Sequence, residues 1–322
     1  MSGRAEGLGR SAMPRLPGPW SRRARRRAWF GLLTVLGIAE RGFFIPYRYA
    51  GAQQSAAPRP PYAAVEALLA ARETAFAARL AWIDGYAEDL GRIGTDPAPA
   101  PRWSQDWFPR LDAAVAYAQV RRQAPRRIVE VGAGHSTRFL LQAVIDGELA
   151  TRITSIDPAP RARLAAADPR LTLLRSTLQS LGQSLGQSLG QSLGQEIGRD
   201  AGKACFAELE AGDLLSIDSS HILMPGSDVD VLLGRVLPAL PAGVVVQLHD
   251  IFLPDDYPAA WRWRGYNEQL GVLSLLLGGA WEVLFASHYV ATRMSDAVAR
   301  SAAGALPLVR GARESSLWLR RT

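Results

Sequence analysis

The sequence predicts an α/β fold: a doubly wound, mostly parallel sheet of seven strands, preceded by an N-terminal helical extension. From residue 127 onward, short apolar runs alternate with amphipathic segments. This alternation is typical of a parallel sheet covered by helices on both faces. Hydrophobic residues make up 48% of the 322-residue chain and charged residues 21%, so the chain can bury a sizeable core.

The elements follow from hydrophobic spacing along the chain. A long helix is predicted over about 62–93, ended by prolines at 97, 99 and 101, and a second helix follows near 111–118. An amphipathic helix is predicted over 229–240, where apolar residues recur at helical spacing. Seven apolar runs are predicted to be strands: 128–131, 153–156, 171–174, 214–217, 244–248, 281–286 and 316–319.

The N-terminal region carries the excess positive charge. Residues 1–27 hold eight arginines and one acid, so the chain's 37 basic and 30 acidic residues leave the remainder neutral. We therefore predict a basic, disordered leader over 1–28, a helical extension over 29–104 and the main domain over 105–322. The apolar stretch 29–39 is too short to span a bilayer. We expect this segment to form a helix that docks on the body of the protein. Contact with an anionic membrane surface and a secretion signal are the two alternatives.

Composition narrows the classes of partner and site. A neutral body without a basic stripe predicts no nucleic-acid partner. The single cysteine, Cys205, excludes an intramolecular disulfide framework and a cysteine zinc site. Cytoplasmic localisation is expected, with peripheral membrane contact through the arginines, and the oligomeric state stays open. Residues 179–194 repeat Gln-Ser-Leu-Gly four times, which we interpret as a tandem expansion in a surface loop.

A glycine turn ends the first predicted strand. The segment reads Glu130-Val-Gly132-Ala-Gly134-His135-Ser136-Thr137 and leads into a helix. Glycines at such a turn allow a ligand to approach the backbone closely. Thr137 stands where a dinucleotide fingerprint has its third glycine. Asp157 ends the second strand, where an acid can accept hydrogen bonds from both ribose hydroxyls.

These residues resemble the class I S-adenosylmethionine-dependent methyltransferases. The resemblance rests on Glu130-Val-Gly132-Ala-Gly134 and on Ile156-Asp157, and extends over roughly 105–320. It implies the Rossmann-like methyltransferase fold and S-adenosylmethionine as cofactor. It also implies that the glycines pack under the methionine portion, with Asp157 on the ribose. Glu130 is expected near the cationic amino-acid tail, and His135 and Ser136 beside the glycine turn are expected to join the cofactor site.

Histidines and aspartates concentrate at the ends of the fourth and fifth strands. Asp218 and His221 follow strand four, and His249 and Asp250 follow strand five. Because ligands of open α/β sheets gather at the carboxyl ends of the strands, these side chains are candidate catalytic groups.

Two chemical roles remain open for this group. In the first, Asp218, His249 and Asp250 bind magnesium or manganese, which lowers the pKa of a substrate hydroxyl, and His221 is the base. This arrangement resembles the metal-dependent O-methyltransferases of the catechol type, except that His249 stands where a carboxylate is usual. In the second role, His221 or His249 deprotonates the acceptor directly and the aspartates orient the imidazoles.

Aromatic residues follow the fifth strand directly. Tyr257, Trp261, Trp263 and Tyr266 are expected to form a lid over the acceptor. The resemblance predicts methylation as the function. A hydroxyl on a small molecule or sugar is the expected acceptor, because no Asn-Pro-Pro-Tyr-like motif of amino-directed enzymes follows strand four. The alternatives are a cephalosporin-hydroxylase-like or hydrolase-like enzyme on the same sheet, or a non-catalytic, cofactor-binding, membrane-associated protein.

Overall fold

The computed structural model describes residues 22–50, 59–180 and 205–322. Contacts divide the chain into two units, Met1–Ala57 and Pro58–Thr322. Of the predicted repeat loop 179–194, Gln179 and Ser180 lie in a helical turn, and 181–194 fall outside the described residues. Residues 1–21 of the predicted leader fall outside them as well.

The first unit contains helix α1, Arg22–Val35. It begins within the segment 1–28 that was predicted to be disordered, so the arginine run is the first half of a helix. Arginine and alanine are both strong helix formers, which accounts for the difference. In the part of the chain that the structure describes, every helix is too short or too polar to cross a bilayer.

The second unit is built on the predicted seven-stranded sheet. Its order is β3-β2-β1-β4-β5-β7-β6. Strands β1 to β5 pair in parallel, and β7 runs antiparallel to both of its neighbours. The strands are β1 Arg127–Val131, β2 Arg152–Ile156, β3 Leu171–Leu174, β4 Leu214–Ile217, β5 Val245–Leu248, β6 Trp281–Ala286 and β7 Leu317–Arg321. The prediction of an α/β, doubly wound, mostly parallel sheet is confirmed.

Helices cover the sheet and connect its strands. They are α2 Ala63–Ala70, α3 Glu73–Asp84, α4 Ala87–Arg92, α5 Arg110–Gln123, α6 His135–Asp146, α7 Asp228–Val231, α8 Leu237–Ala239, α9 Glu268–Leu277, α10 Ser287–Arg293, α11 Ser295–Arg300 and α12 Ala302–Ala305. A π-helical segment, Leu232–Val236, joins α7 to α8. A 3-10 helix, Ala259–Arg264, precedes α9.

The long helix predicted over 62–93 is in fact three helices, α2 to α4. The first break is at Arg72, whose guanidinium donates to the Val283 carbonyl oxygen (3.1 Å) and pairs with Glu282 on β6. The second break follows Gly85, a poor helix former, at Tyr86. Contacts with the sheet therefore override the continuous apolar periodicity.

The N-terminal helices of this unit share the core of the sheet. Phe76 on α3 packs edge to face on Phe285 of β6, with ring centroids 5.7 Å apart. Arg79 on the same helix donates to the Leu284 carbonyl oxygen at 2.7 Å. Helices α2 to α4 therefore bury their apolar faces on the sheet and belong to the unit Pro58–Thr322, while the domain boundary between 104 and 105 stays a prediction.

The carboxyl ends of four neighbouring strands meet at one edge of the sheet. Three backbone hydrogen bonds continue past the ends of the strands. The N–H groups of Gly132, Asp218 and His249 donate to the carbonyl oxygens of Ile156 (2.9 Å), Val131 (2.8 Å) and Ile217 (2.9 Å), respectively. The residues that follow β1, β2, β4 and β5 are thus held side by side, which brings the predicted site residues together.

Candidate active site

The glycine turn after β1 lies against the end of β4. Gly132 has a φ of +89°, and a Cβ there would lie 2.0 Å from the Asp218 carbonyl oxygen. Only glycine fits this contact without a backbone shift. Gly134, at the start of α6, has an extended φ of −172°, and a Cβ there would meet open space. Gly132 therefore serves packing, whereas Gly134 borders an open region at the helix N-terminus.

Glu130 stabilises this turn from below. Its fully buried carboxylate accepts hydrogen bonds from Ser136 Oγ (2.7 Å), Thr137 Oγ1 (2.6 Å) and Ser155 Oγ (2.5 Å). Thr137 Oγ1 in turn accepts from the Gly134 N–H at 2.9 Å. Burial raises the pKa of Glu130 to about 7, against the opposing effect of the three hydroxyls. Glu130 and Ser136 thus hold the turn in place through these hydrogen bonds, and their place in the cofactor site stays a prediction.

Asp157 and His135 flank the same open region. Asp157 Oδ2 accepts from the Ala133 N–H (2.9 Å) and Oδ1 from the Ala159 N–H (2.7 Å). Each carboxylate oxygen keeps a lone pair for a further donor. His135 begins α6, and its buried Nδ1 has no hydrogen-bond partner. Burial, with the charges of Arg138 and Arg102, lowers the pKa of His135 to about 4, so this imidazole is neutral.

His221 lies at the centre of a buried cluster of charges after β4 and β5. Its Nδ1 is 2.8 Å from Glu268 Oε2, and its Nε2 is 3.2 Å from Asp218 Oδ1 and 3.6 Å from Asp250 Oδ2. Because each ring nitrogen faces a carboxylate, the geometry favours a hydrogen on both. Burial alone would lower the pKa of His221, but hydrogen bonds to Asp218 and Glu268 raise it well above 6.5.

His249 occupies the other side of Asp218. Its Nδ1 lies 3.6 Å from oxygens of both Asp218 and Asp250, and its Nε2 lies 3.4 Å from Asp112 Oδ2. Despite the cost of burial, these carboxylates raise the pKa of His249 well above its ordinary value. Partial burial opposes ionisation of Asp218, but the charges of His249 and His221 hold its pKa below the usual range. The cluster places two buried imidazoles against the carboxylates of Asp218 and Asp250, at 3.2–3.6 Å.

Backbone conformation directs two of these side chains. His221 (φ +60°) and Asp250 (φ +57°) both adopt the left-handed region, which is uncommon for residues other than glycine. Such conformations cost roughly 1–3 kcal/mol each and cluster at functional sites. Asp218 is the accessible member of the cluster, with 40% of its side-chain surface exposed, whereas the two histidines are each 5% exposed.

The predicted metal ligands come together, but as ion pairs. Among the residues that the structure describes, no group of three or more histidine, cysteine, aspartate or glutamate side chains is arranged to hold a metal ion. The oxygens of Asp218 and Asp250 face the ring nitrogens of His221 and His249 at 3.2–3.6 Å. This donor set suits the transfer of protons between imidazole and carboxylate.

The predicted aromatic lid forms a contiguous cluster next to His221. Tyr266 lies on the His221 ring with centroids 4.5 Å apart, and it contacts Tyr257 (5.8 Å) and Trp261 (6.1 Å) edge to face. Arg264 places its guanidinium 3.9 Å from the Trp261 ring centroid and 3.8 Å from Asp250 Oδ2. Trp263 is the outermost member, 46% exposed. Tyr266 therefore covers one face of the His221 ring, and Tyr257 and Trp261 pack on Tyr266.

Glu268 and Asp112 belong to the site although sequence reasoning missed both. Glu268 is 1% exposed and starts α9, 47 residues after its partner His221. Asp112 is fully buried on α5, where it also accepts from the Ser315 N–H (2.9 Å) and Ser316 N–H (2.9 Å). A single acid within the apolar run 111–118 was the available signal for Asp112. Nothing local distinguishes Glu268 from a solvated residue in the first turn of a helix.

Comparison with known proteins agrees with this geometry. Residues 129–251 match a family model described as a methyltransferase domain, Methyltransf_24. No curated protein matches the chain. The match assigns a methyltransferase domain to residues 129–251, which confirms over that part of the chain the resemblance to methyltransferases stated from the sequence.

Solved structures with a similar arrangement include three complexes with S-adenosylhomocysteine (SAH). One is the Podospora anserina methyltransferase PaMTH1 (15% identity, TM-score 0.37, 87% of this chain and 99% of that one). Another is an O-methyltransferase from Bacillus cereus (12%, 0.36, 76% and 91%). The third is described as cmcI-N160 SAH (14%, 0.34, 71% and 96%). These values are too low to transfer an acceptor or a residue role.

Proposed function

We propose that this protein transfers the methyl group of S-adenosylmethionine to a hydroxyl of a small molecule, with His221 as the general base. The observation that carries the proposal is the position of His221, bound through Nδ1 to buried Glu268 and aimed through Nε2 at partly exposed Asp218. This cluster adjoins the glycine turn, because the Asp218 backbone contacts Gly132.

The residues around the glycine turn fit the cofactor. Gly134 leaves open space at the N-terminus of α6, Asp157 keeps acceptor capacity for ribose hydroxyls, and His135 offers a buried, unpartnered nitrogen. Glu130 holds the turn. When bound, S-adenosylmethionine supplies an electrophilic methyl group on a cationic sulfur.

His221 is held for proton transfer by Glu268. The Nδ1–Glu268 bond orients the ring and keeps one hydrogen on Nδ1, so loss of the other hydrogen leaves the Nε2 lone pair on the side of Asp218. Because the carboxylates raise the pKa of His221, the working neutral form becomes populated only as the pH rises above the ordinary histidine range. A base of raised pKa is also a stronger acceptor of a hydroxyl proton.

The acceptor reaches this base from the exposed side of Asp218. Tyr266 on the His221 ring offers aromatic surface beside the base, Trp261 packs on Tyr266, and Arg264 adds a cation beside Asp250. These groups suit a small molecule with a flat or apolar body and a hydroxyl group. In this arrangement the aspartates orient the imidazoles, which favours direct deprotonation over the metal-assisted alternative.

Three experiments test the proposal. S-adenosylmethionine and NAD are titrated in parallel by calorimetry, and we expect saturable binding of S-adenosylmethionine alone. The enzyme is then incubated with a metabolite extract, and products heavier by one methylene are sought by mass spectrometry, with His221→Gln as the matched inactive control. Binding of NAD instead, or equal product from His221→Gln, would contradict the proposal. Treatment with a chelator, followed by magnesium or manganese, separates the metal-assisted route: full activity after chelation supports direct deprotonation.

A further inference from the structure

The first unit exposes a run of large apolar side chains. On α1 and just after it, Trp29, Leu32, Val35, Leu36 and Ile38 are each at least 50% exposed. Phe43, Phe44 and Ile45 follow with exposures of 62–66%. Exposed apolar residues scattered singly are normal, but a continuous run of this size marks an interaction surface.

The same helix begins with a cluster of exposed cations. Arg22, Arg25, Arg26 and Arg27 occupy its first half, and α1 contains no acidic residue. Arg26 extends over the Phe30 ring at 5.0 Å, so charge and apolar surface meet within one turn. Positive charge and apolar surface are thus separated along the helix axis, arginines first and large apolar side chains second.

This combination fits an anionic lipid surface better than other partners. Phosphate headgroups attract clustered arginines, and the acyl region accepts the apolar side chains. Trp29, Tyr47 and Tyr49 are aromatic residues of the kind enriched where lipid meets water. A nucleic acid would pair with the arginines but would leave the apolar run 29–38 in water.

The length of the helix determines the mode of binding. Fourteen residues extend about 21 Å at 1.5 Å per residue, against a hydrocarbon core of about 30 Å. Its apolar part, Ala28–Val35, extends roughly 12 Å and is followed by turn residues 36–38, so it reaches into one leaflet of about 15 Å without crossing both. Insertion into one leaflet therefore suits this segment.

We propose that residues 22–49 bind an anionic membrane surface, with the arginines at the headgroups and the apolar run 29–38 in the adjoining leaflet. This role is independent of the methyltransferase chemistry, because none of these residues belongs to the candidate active site. It also gives the arginine run a function that the neutral body of the protein does not provide.

The test is vesicle sedimentation with the full chain. We expect sedimentation with vesicles of phosphatidylcholine and phosphatidylglycerol, little with phosphatidylcholine alone, and release as salt rises. Replacing Arg25, Arg26 and Arg27 together by glutamine should weaken partitioning on the order of 100-fold at low salt. The matched triple lysine variant should bind nearly as well as wild type.

A second pair of variants tests the apolar contribution. The double variant Trp29→Ser and Leu32→Ser should lose binding, whereas Leu308→Ser, which alters an exposed leucine of the second unit, should bind normally. Equal binding to both vesicle types, or binding unaffected by the double variant, would overturn the proposal. Absence of sedimentation with either vesicle type would also overturn it. In that case a lower melting temperature of the double variant would assign the surface to the protein body, and self-association of the wild-type chain that the double variant loses would assign it to a second copy.

Discussion

Replacing Gly132 by alanine should lower the stability of the fold, whereas replacing Gly134 by alanine should lower the affinity for the cofactor. In Gly132→Ala, the new Cβ would lie 2.0 Å from the Asp218 carbonyl oxygen, so the two strand ends must separate by at least about 1 Å. A left-handed φ adds roughly 1–2 kcal/mol and overpacking roughly 1–3 kcal/mol. We therefore expect the free energy of unfolding to fall by about 2–5 kcal/mol.

Gly134→Ala is the matched comparison. Its extended φ suits alanine and its Cβ would meet open space, so we expect less than ~1 kcal/mol of destabilisation, mainly from a poorer N-cap. Since that space is the proposed cofactor site, affinity for S-adenosylmethionine should fall at least tenfold. Denaturant unfolding and titration calorimetry measure the two quantities. A Gly132→Ala protein as stable as wild type would refute the packing argument, and a Gly134→Ala protein with unchanged affinity would refute the assignment of the site.

Further predictions concern the ionisable groups. His221→Gln should lower turnover by about 10²–10⁴-fold while leaving cofactor affinity near wild type, as measured by parallel assays of rate and binding. Wild-type turnover should rise as the pH increases above 6.5. In Glu268→Gln this rise should occur at lower pH, because the variant lacks a carboxylate that raises the pKa of His221. A pH profile identical to that of the wild type would mean that Glu268 has only a structural role. Asp157→Ala should weaken S-adenosylmethionine binding by about 1–3 kcal/mol, and unchanged calorimetric affinity would contradict its role. For Glu130, with a pKa raised from 4.5 to about 7 in the folded protein, stability should fall by roughly 3 kcal/mol as pH rises from 4.5 to 7, because the unfolded chain releases this proton first. Glu130→Gln should remove that part of the slope in unfolding measured across this pH range.

The sequence predicted the sheet well because its strands are short apolar runs bounded by turn residues. It also predicted that Asp218, His221, His249 and Asp250 would meet, since parallel strands end at one edge. The division of 62–93 into three helices was missed, because Gly85 was outweighed by the apolar periodicity and the break at Arg72 depends on contacts with β6. Local periodicity carries no information about such distant partners.

The protonation of the site could not be read from the sequence for the same reason. An isolated histidine titrates near 6.5, and His221 departs from this value because Glu268, 47 residues away, lies against its Nδ1. The surroundings of Glu130 could not be read from the sequence either. A motif places an acid before the glycines, but only the structure reveals that three hydroxyls surround its carboxylate.

The link between Asp112 and the backbone of Ser315 and Ser316 has a consequence for how the protein matures. Asp112 lies beneath His249, and the amide donors that satisfy it come from about 200 residues further along the chain. During synthesis on the ribosome, the earlier strands can assemble while this carboxylate still lacks its partners. A nascent chain is therefore expected to form the proposed cofactor site first. The carboxylate of Asp112 beside His249 is held in place only after residue 316 has emerged.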